Sequence, residues 1–208
     1  MTPIEAGKLA EAAYSTIPTY GPESGAGRAI VSLDGLAVGF PGTNNVACAE
    51  ADAVASIIHV QGMGALHWGF WGAYEAIRAP LLQLSPQIIY GHSEGAALAI
   101  LYAADLILAG KGAAQLFGFE PPRVCADHVL HDLFASAVGL AILLTKNGND
   151  LVPDLPPDLL ENWQQPWSLT PIGQPLLPFP NLEDHKMVNV IPSLGRDAPL
   201  TDQSRYVA

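Results

Sequence analysis

Lysine and arginine are scarce in this chain: nine of them face twenty aspartates and glutamates, leaving a net charge of −11, and no basic cluster stands anywhere. Such a field repels phosphate backbones and anionic headgroups, so nucleic acid is not expected as a partner, and the charge is read as an aid to solubility. Cysteine is nearly missing. Cys48 and Cys125 allow at most one bridge and lack metal-ligand spacing, which fits a reducing compartment. Long apolar runs are missing as well: the longest, residues 95–110, is broken by Asp105 and falls short of the roughly 18 residues a membrane span requires. No basic segment precedes an apolar one at the N-terminus, where Glu5, Lys8 and Glu11 intervene, so no export signal is read and the cytoplasm is the expected compartment.

What the chain does have is apolar bulk. Half of its 208 residues are hydrophobic and 14% are charged, enough to bury one core, and the length suits a single domain over residues 1–208. Thr2, Pro3 and Glu5 form a helix start, with a capping hydroxyl, a proline at the first position and a carboxylate three residues on. Residues 28–33 and 36–40 read as strands joined by the Asp34-Gly35 turn. Beyond them the pattern alternates. Helices are expected near 46–58, 70–84, 94–108 and 125–135, and strands at 87–90, 114–118 and 140–145. Strands separated by helices imply crossovers, hence an α/β fold with a mostly parallel central sheet, helices on both faces and reactive groups at the carboxyl ends of strands. From 153 to 192 proline recurs at 153, 156, 157, 166, 171, 175, 178, 180 and 192, which predicts a long surface loop carrying Trp163, Trp167 and Phe179.

Chemistry concentrates where the strand Ile88-Ile89-Tyr90 runs through Gly91-His92-Ser93-Glu94-Gly95 into the alanine-rich helix. G-x-S-x-G at a strand-to-helix turn holds a serine at its tip, because glycines on either side let the backbones close up. Ser93 is therefore the candidate nucleophile. In this arrangement an acid and then a histidine follow the serine. His128, His131 and His185 qualify by order, and the first two sit three apart within an expected helix, which favours His185. Asp150 falls in the loop that ends the 140–145 strand, where an orienting carboxylate belongs, with Asp154 and Asp158 as competitors. Two backbone donors are needed for an oxyanion: Glu94 follows the nucleophile, and Thr43 follows the strand-end turn Phe40-Pro41-Gly42.

Taken in order, these motifs resemble the lipase class 3 family of fungal-type triacylglycerol lipases. F-P-G-T at 40–43 is similar to that family's F-R-G-T, H-W-G-F at 67–70 to its H-x-G-F, and G-H-S-E-G at 91–95 to its G-H-S-L-G. F-G-F-E-P-P-R-V at 117–124 resembles F-G-x-P-R-V-G, and N-D-L-V-P-D-L-P-P at 149–157 resembles the acid loop D-x-V-P-x-L-P. Pro41 and Glu94 depart from the pattern, as do the extra residues at 117–124. The resemblance implies the α/β-hydrolase fold, a Ser93–Asp150–His185 triad, an oxyanion hole from Thr43 and Glu94, and hydrolysis of a small-molecule or lipid ester without metal or organic cofactor. Trp163, Trp167 and Phe179 are candidates for an acyl-binding wall. Amide or peptide hydrolysis by the same triad, and a catalytically silent binding module of the same fold, are the competing expectations.

Overall fold

The computed structural model describes residues 1–43, 56–158 and 161–197. Helix α1 (Pro3–Ala12) starts as expected: the Thr2 hydroxyl accepts from the Glu5 N–H while the Glu5 carboxylate accepts from the Thr2 N–H. Strands β1 (Ile30–Val31) and β2 (Ala37–Phe40) pair antiparallel. Their connection is wider than the two-residue turn expected. Register pairs Val31 with Val38, and Ser32 bonds Ala37, so residues 33–36 form the loop, pinned by the Asp34 carboxylate on the Ser32 hydroxyl and the Leu36 N–H.

The helix expected over 46–58 lies mostly outside the described residues, and its last two positions, Ile57 and Ile58, are strand. They open β3 (Ile57–Val60), which forms a separate antiparallel hairpin with β4 (Gly64–His67). Gly62 and Gly64 both take positive φ in the turn region, which hid a hairpin in a stretch, 59–69, to which the sequence pattern assigned no element. Then follow α2 (Trp68–Leu81), β5 (Ile88–His92), α3 (Glu94–Leu108), β6 (Gln115–Phe119), α4 (Val129–Ala135) and β7 (Ala141–Asn147). Helix α4 is shorter than the 125–135 expected because Cys125 is in extended pairing with Leu66 and Gln164.

The proline-rich stretch is not one long loop. Strand β8 (Leu169–Ile172) lies parallel beside β7 on the outer edge of the sheet, where Pro171 can sit without breaking a central ladder. Helix α5 (Met187–Asp197) forms despite Pro192, which is on its exposed side. Burial outweighs the lost backbone bond. Met187, Val190 and Leu194 recur at helical spacing and pack with Ala6 and Ala10 of α1, and a side chain at Gly7 would meet Leu194 at 2.7 Å.

The sheet order is β1-β2-β5-β6-β7-β8, parallel except at β1. Alternation along its strands assigns the faces: Ile89, Leu116, Ile142 and Leu144 join the core under α2 and α3, while Tyr90, Phe117, Phe119 and Leu143 join the core under α1 and α5. Helices thus cover both faces of a mostly parallel sheet, as in an α/β-hydrolase. Among the described residues no helix is long and apolar enough to cross a membrane.

Candidate active site

Ser93 stands at the junction of β5 and α3 with φ 57 and ψ −132, a backbone conformation costly for a residue with a side chain. Its neighbours explain how the strain is held. A Cβ on Gly91 would lie 2.2 Å from the Gly95 carbonyl oxygen, and one on Gly95 would lie 2.0 Å from the Phe40 carbonyl oxygen. Only glycine permits both approaches. The Ser93 N–H donates to the Phe119 carbonyl at 2.9 Å, continuing the β5–β6 ladder through the bend. Its hydroxyl is buried and bonds to none of the described residues.

His185 reaches the same region from the loop before α5. Its Nδ1 donates to Asp150 Oδ2 at 2.7 Å, and the second carboxylate oxygen accepts from the Val152 N–H at 3.0 Å. Both side chains are buried, and burial pushes His185 down to about 3, so the imidazole rests neutral. With its hydrogen on Nδ1, the other nitrogen, Nε2, is a bare acceptor, and it too is buried without a partner among the described residues. Desolvation raises Asp150 to about 7, against the opposing pull of a hydrogen bond from Glu120 and the charge of Lys146.

The loops that carry Asp150 and His185 are bound to one another through Asp184. One of its carboxylate oxygens accepts from the Asn149 N–H at 2.9 Å and the Asn181 side-chain amide at 3.0 Å; the other accepts from the Leu176 N–H at 3.0 Å. Its own carbonyl accepts from the Asn147 side chain at 2.8 Å. The loop before α5 is thereby tied to the end of β7. Beside Ser93, His92 adds a further tie: its ring lies 4.5 Å from that of His185, its Nε2 donates to the His185 carbonyl at 2.9 Å, and its Nδ1 accepts from the Tyr14 hydroxyl at 2.6 Å.

Thr43, His92, His185 and Tyr14 share a cavity of about 290 Å³ with Glu11, Lys186 and Met187. The turn leading to Thr43 presses on the elbow, since a Cβ at Gly42 would stand 2.7 Å from the His92 carbonyl oxygen. Buried Arg28 holds that turn by donating to the Gly42 carbonyl at 2.8 Å. The same guanidinium faces Glu94: burial raises the Glu94 carboxyl and the Arg28 charge draws it back down.

A profile of the Lipase (class 3) family matches residues 37–160. The chain belongs to the class 3 lipase family. Solved structures of similar fold include a deletion mutant of the Rhizomucor miehei lipase in complex with its propeptide, 21% identical with TM-score 0.55, aligned over 70% of this chain and 50% of that one. A lipase from Rhizopus microsporus var. chinensis is 19% identical with TM-score 0.58 over 76% and 67%, and a mutant of MDLA from Penicillium cyclopium is 22% identical with TM-score 0.61 over 88% and 82%. The chain thus spans half the length of the first of these and most of the last. No curated protein sequence matches it.

In this class 3 family member, Asp150 and His185, both singled out from the sequence, are hydrogen-bonded, Thr43 shares a cavity with His185 and with His92 next to Ser93, and Glu94 opens α3 directly behind the serine. The rejected alternatives lie elsewhere: His128 and His131 are exposed on and beside α4, Asp158 is exposed, and Asp154 pairs with Lys146 at 2.6 Å. The three aromatics do not gather at the cavity. Trp163 is 2% exposed and sits against His67, Trp167 stacks on His131, and Phe179 is 57% exposed. Sequence reasoning missed Tyr14, Arg28, His92, Glu120, Asn147 and Asp184. Glu120 alone left a signal, a carboxylate at the carboxyl end of the strand beside the nucleophile's.

Proposed function

We propose that the chain, acting as one domain, hydrolyses carboxylic esters, with lipid esters as the natural class, through an acyl-enzyme on Ser93. The observation that carries this reading is the Asp150–His185 hydrogen bond, which fixes the imidazole tautomer and leaves Nε2 a bare acceptor, on a residue whose backbone is bonded to His92, the neighbour of Ser93. His185 Nε2 takes the hydroxyl proton as Ser93 Oγ bonds to the ester carbonyl carbon. The carbonyl π pair moves to oxygen, where the Thr43 and Glu94 N–H groups are the candidate donors. Collapse expels the alcohol, which receives the proton from His185, and water activated in the same way releases the acid. Throughout, Asp150 stabilises the transient imidazolium.

The family match and the order of Ser93, Asp150 and His185 support this reading. The test is turnover of p-nitrophenyl esters of increasing chain length, together with a fluorophosphonate label. Expected are ester turnover and labelling by the wild type, and loss of both in Ser93→Ala. Absence of labelling and of ester turnover in the wild-type protein would overturn the reading.

A further inference from the structure

Glu120 is fully buried at the end of β6, two strands from one edge of the sheet and three from the other, and no step of ester hydrolysis uses it. Its backbone stands at φ 54, a second left-handed side-chain-bearing residue beside Ser93. Three groups meet its carboxyl. The Thr145 hydroxyl donates to Oε1 at 2.9 Å, the Asn147 N–H donates to Oε2 at 2.7 Å, and the Asp150 carboxyl is hydrogen-bonded to it.

We infer that Glu120 is a positioning residue for the candidate triad acid: it holds the one proton of a Glu120–Asp150 carboxyl pair and donates it to Asp150, whose Oδ2 is thereby presented to His185 as a single negative charge.

Two carboxyl groups in hydrogen-bond contact with no access to water cannot both be ionised, and cannot bond to one another without a proton between them. Because Thr145 and Asn147 both donate to Glu120, its own proton has Asp150 as its acceptor. Asp150 is the better site for the charge. Leaving the shared proton aside, each carboxyl accepts two bonds, Asp150 from His185 and Val152 and Glu120 from Thr145 and Asn147, and the Lys146 charge stands on the Asp150 side of the pair. Desolvation and the neighbouring Asp150 charge hold Glu120 protonated well above the ordinary carboxylate range. The charged and titratable groups facing the pair are Lys146 and Asp154 from the β7 side, Asp184 and His185 from the loop before α5, and His92 from β5 behind His185. Asp184 opposes ionisation of Asp150 and Lys146 favours it, so the local balance returns to the shared proton. Fixing that proton on Glu120 keeps Asp150 from flipping between acceptor and donor toward the imidazole.

The inference rests on the reading of Ser93, His185 and Asp150 as a triad, and its test separates the two. Infrared difference spectra of wild type against Glu120→Gln at neutral pH are expected to show a protonated-carboxyl stretching band that the variant lacks. Kinetically, Glu120→Ala is expected to lower kcat about 10- to 100-fold with little change in KM, as loss of a group orienting a catalytic residue does, and Glu120→Gln, a neutral donor of the same shape, to recover most of it. The acid limb of kcat/KM should coincide in wild type and Glu120→Gln, since the charge of the pair is the same in both. Absence of the band, or an acid limb displaced by a pH unit or more in Glu120→Gln, would overturn the shared proton. Full turnover by Ser93→Ala would instead overturn the triad, a result the infrared band does not depend on. Should Glu120→Ala fail to fold, the Glu120→Gln spectrum and pH profile decide alone.

Discussion

The carbonyl of His185 accepts a hydrogen bond from Nε2 of His92, the residue immediately before Ser93. A carbonyl can only accept, so the His92 proton is on Nε2 and its Nδ1 is the acceptor of the Tyr14 hydroxyl. Burial and the neighbouring His185 hold His92 well below its ordinary value, in that neutral form. The backbone of the candidate base is thus registered on the nucleophile strand by a second histidine. His92→Phe should fill the space yet drop this tie, lowering kcat by roughly tenfold while leaving Ser93 open to fluorophosphonate; steady-state kinetics with labelling checks both.

Asp150→Asn should cost about 10⁴ in kcat, because the amide that replaces Oδ2 donates to His185 and moves the ring proton to Nε2, the nitrogen that must accept from Ser93. Folding should be little affected, and circular dichroism beside pre-steady-state acylation rates separates the two effects.

Gly95→Ala should disable fold and site together. The added methyl would lie 2.0 Å from the Phe40 carbonyl oxygen, which is backbone and cannot rotate away. Either α3 or the turn leading to Thr43 must shift, with a loss of at least about 2 kcal/mol and of most activity. Urea unfolding and ester turnover measure the two losses.

Acid lability should follow from three buried histidines. Burial lowers His67 to about 4 and His185 to about 3, and His92 falls with them. The unfolded chain binds protons near 6.5 that the folded one refuses, so this stability is intact above about 6.5 and is lost as pH falls through 4. His67 alone accounts for about 3 kcal/mol at the acid end of that window. Glu120 has the opposite sign: its contribution is present below 4.5 and is lost as pH rises. Urea midpoints across pH should therefore fall steeply on the acid side, and Glu120→Gln should flatten only the upper side. A wild-type midpoint that holds steady from neutrality down to 4 would contradict the histidine assignment.

Asp105 interrupts the most apolar stretch of the chain. In the fold it accepts from the Tyr74 hydroxyl at 2.8 Å and from Nε and Nη2 of Arg78, tying α3 to α2. Arg78 is partly exposed, so Arg78→Ala should cost about 2 kcal/mol, below the range for a fully buried pair, through the anion left behind. A double-mutant cycle with Asp105→Asn isolates the pair.

Local signals were strongest where backbone and chemistry coincide. The Thr2 cap, helix α3 and the elbow at Ser93 were each legible because a short motif dictates one conformation. The Asp150–His185 hydrogen bond was legible because Asp150 lies in the loop that ends a strand and because the order of the motif leaves few histidines. Strand β8 and helix α5 were hidden by Pro171 and Pro192, whose local preferences are overridden by an edge position and by packing on α1. Hairpin β3–β4 was hidden because positive-φ glycines, not period, define it. Asp184 and Glu120 were missed for a different reason: Glu120 ends a strand, but its partners Thr145 and Asn147 lie 25 and 27 residues on, and Asp184 acts through Asn149, 35 residues back, pairings that no local pattern encodes.

The Asp184 tie also orders events in time. During synthesis Ser93 emerges first, Asp150 57 residues later and His185 last, and the loop bearing that histidine is held by the bonds of Asn149, Leu176 and Asn181 to Asp184 and by the packing of α5 on α1. On the proposed function, a nascent chain halted before α5 carries Ser93 without a positioned His185, so ester hydrolysis is expected to arrive abruptly, with the last of the described helices.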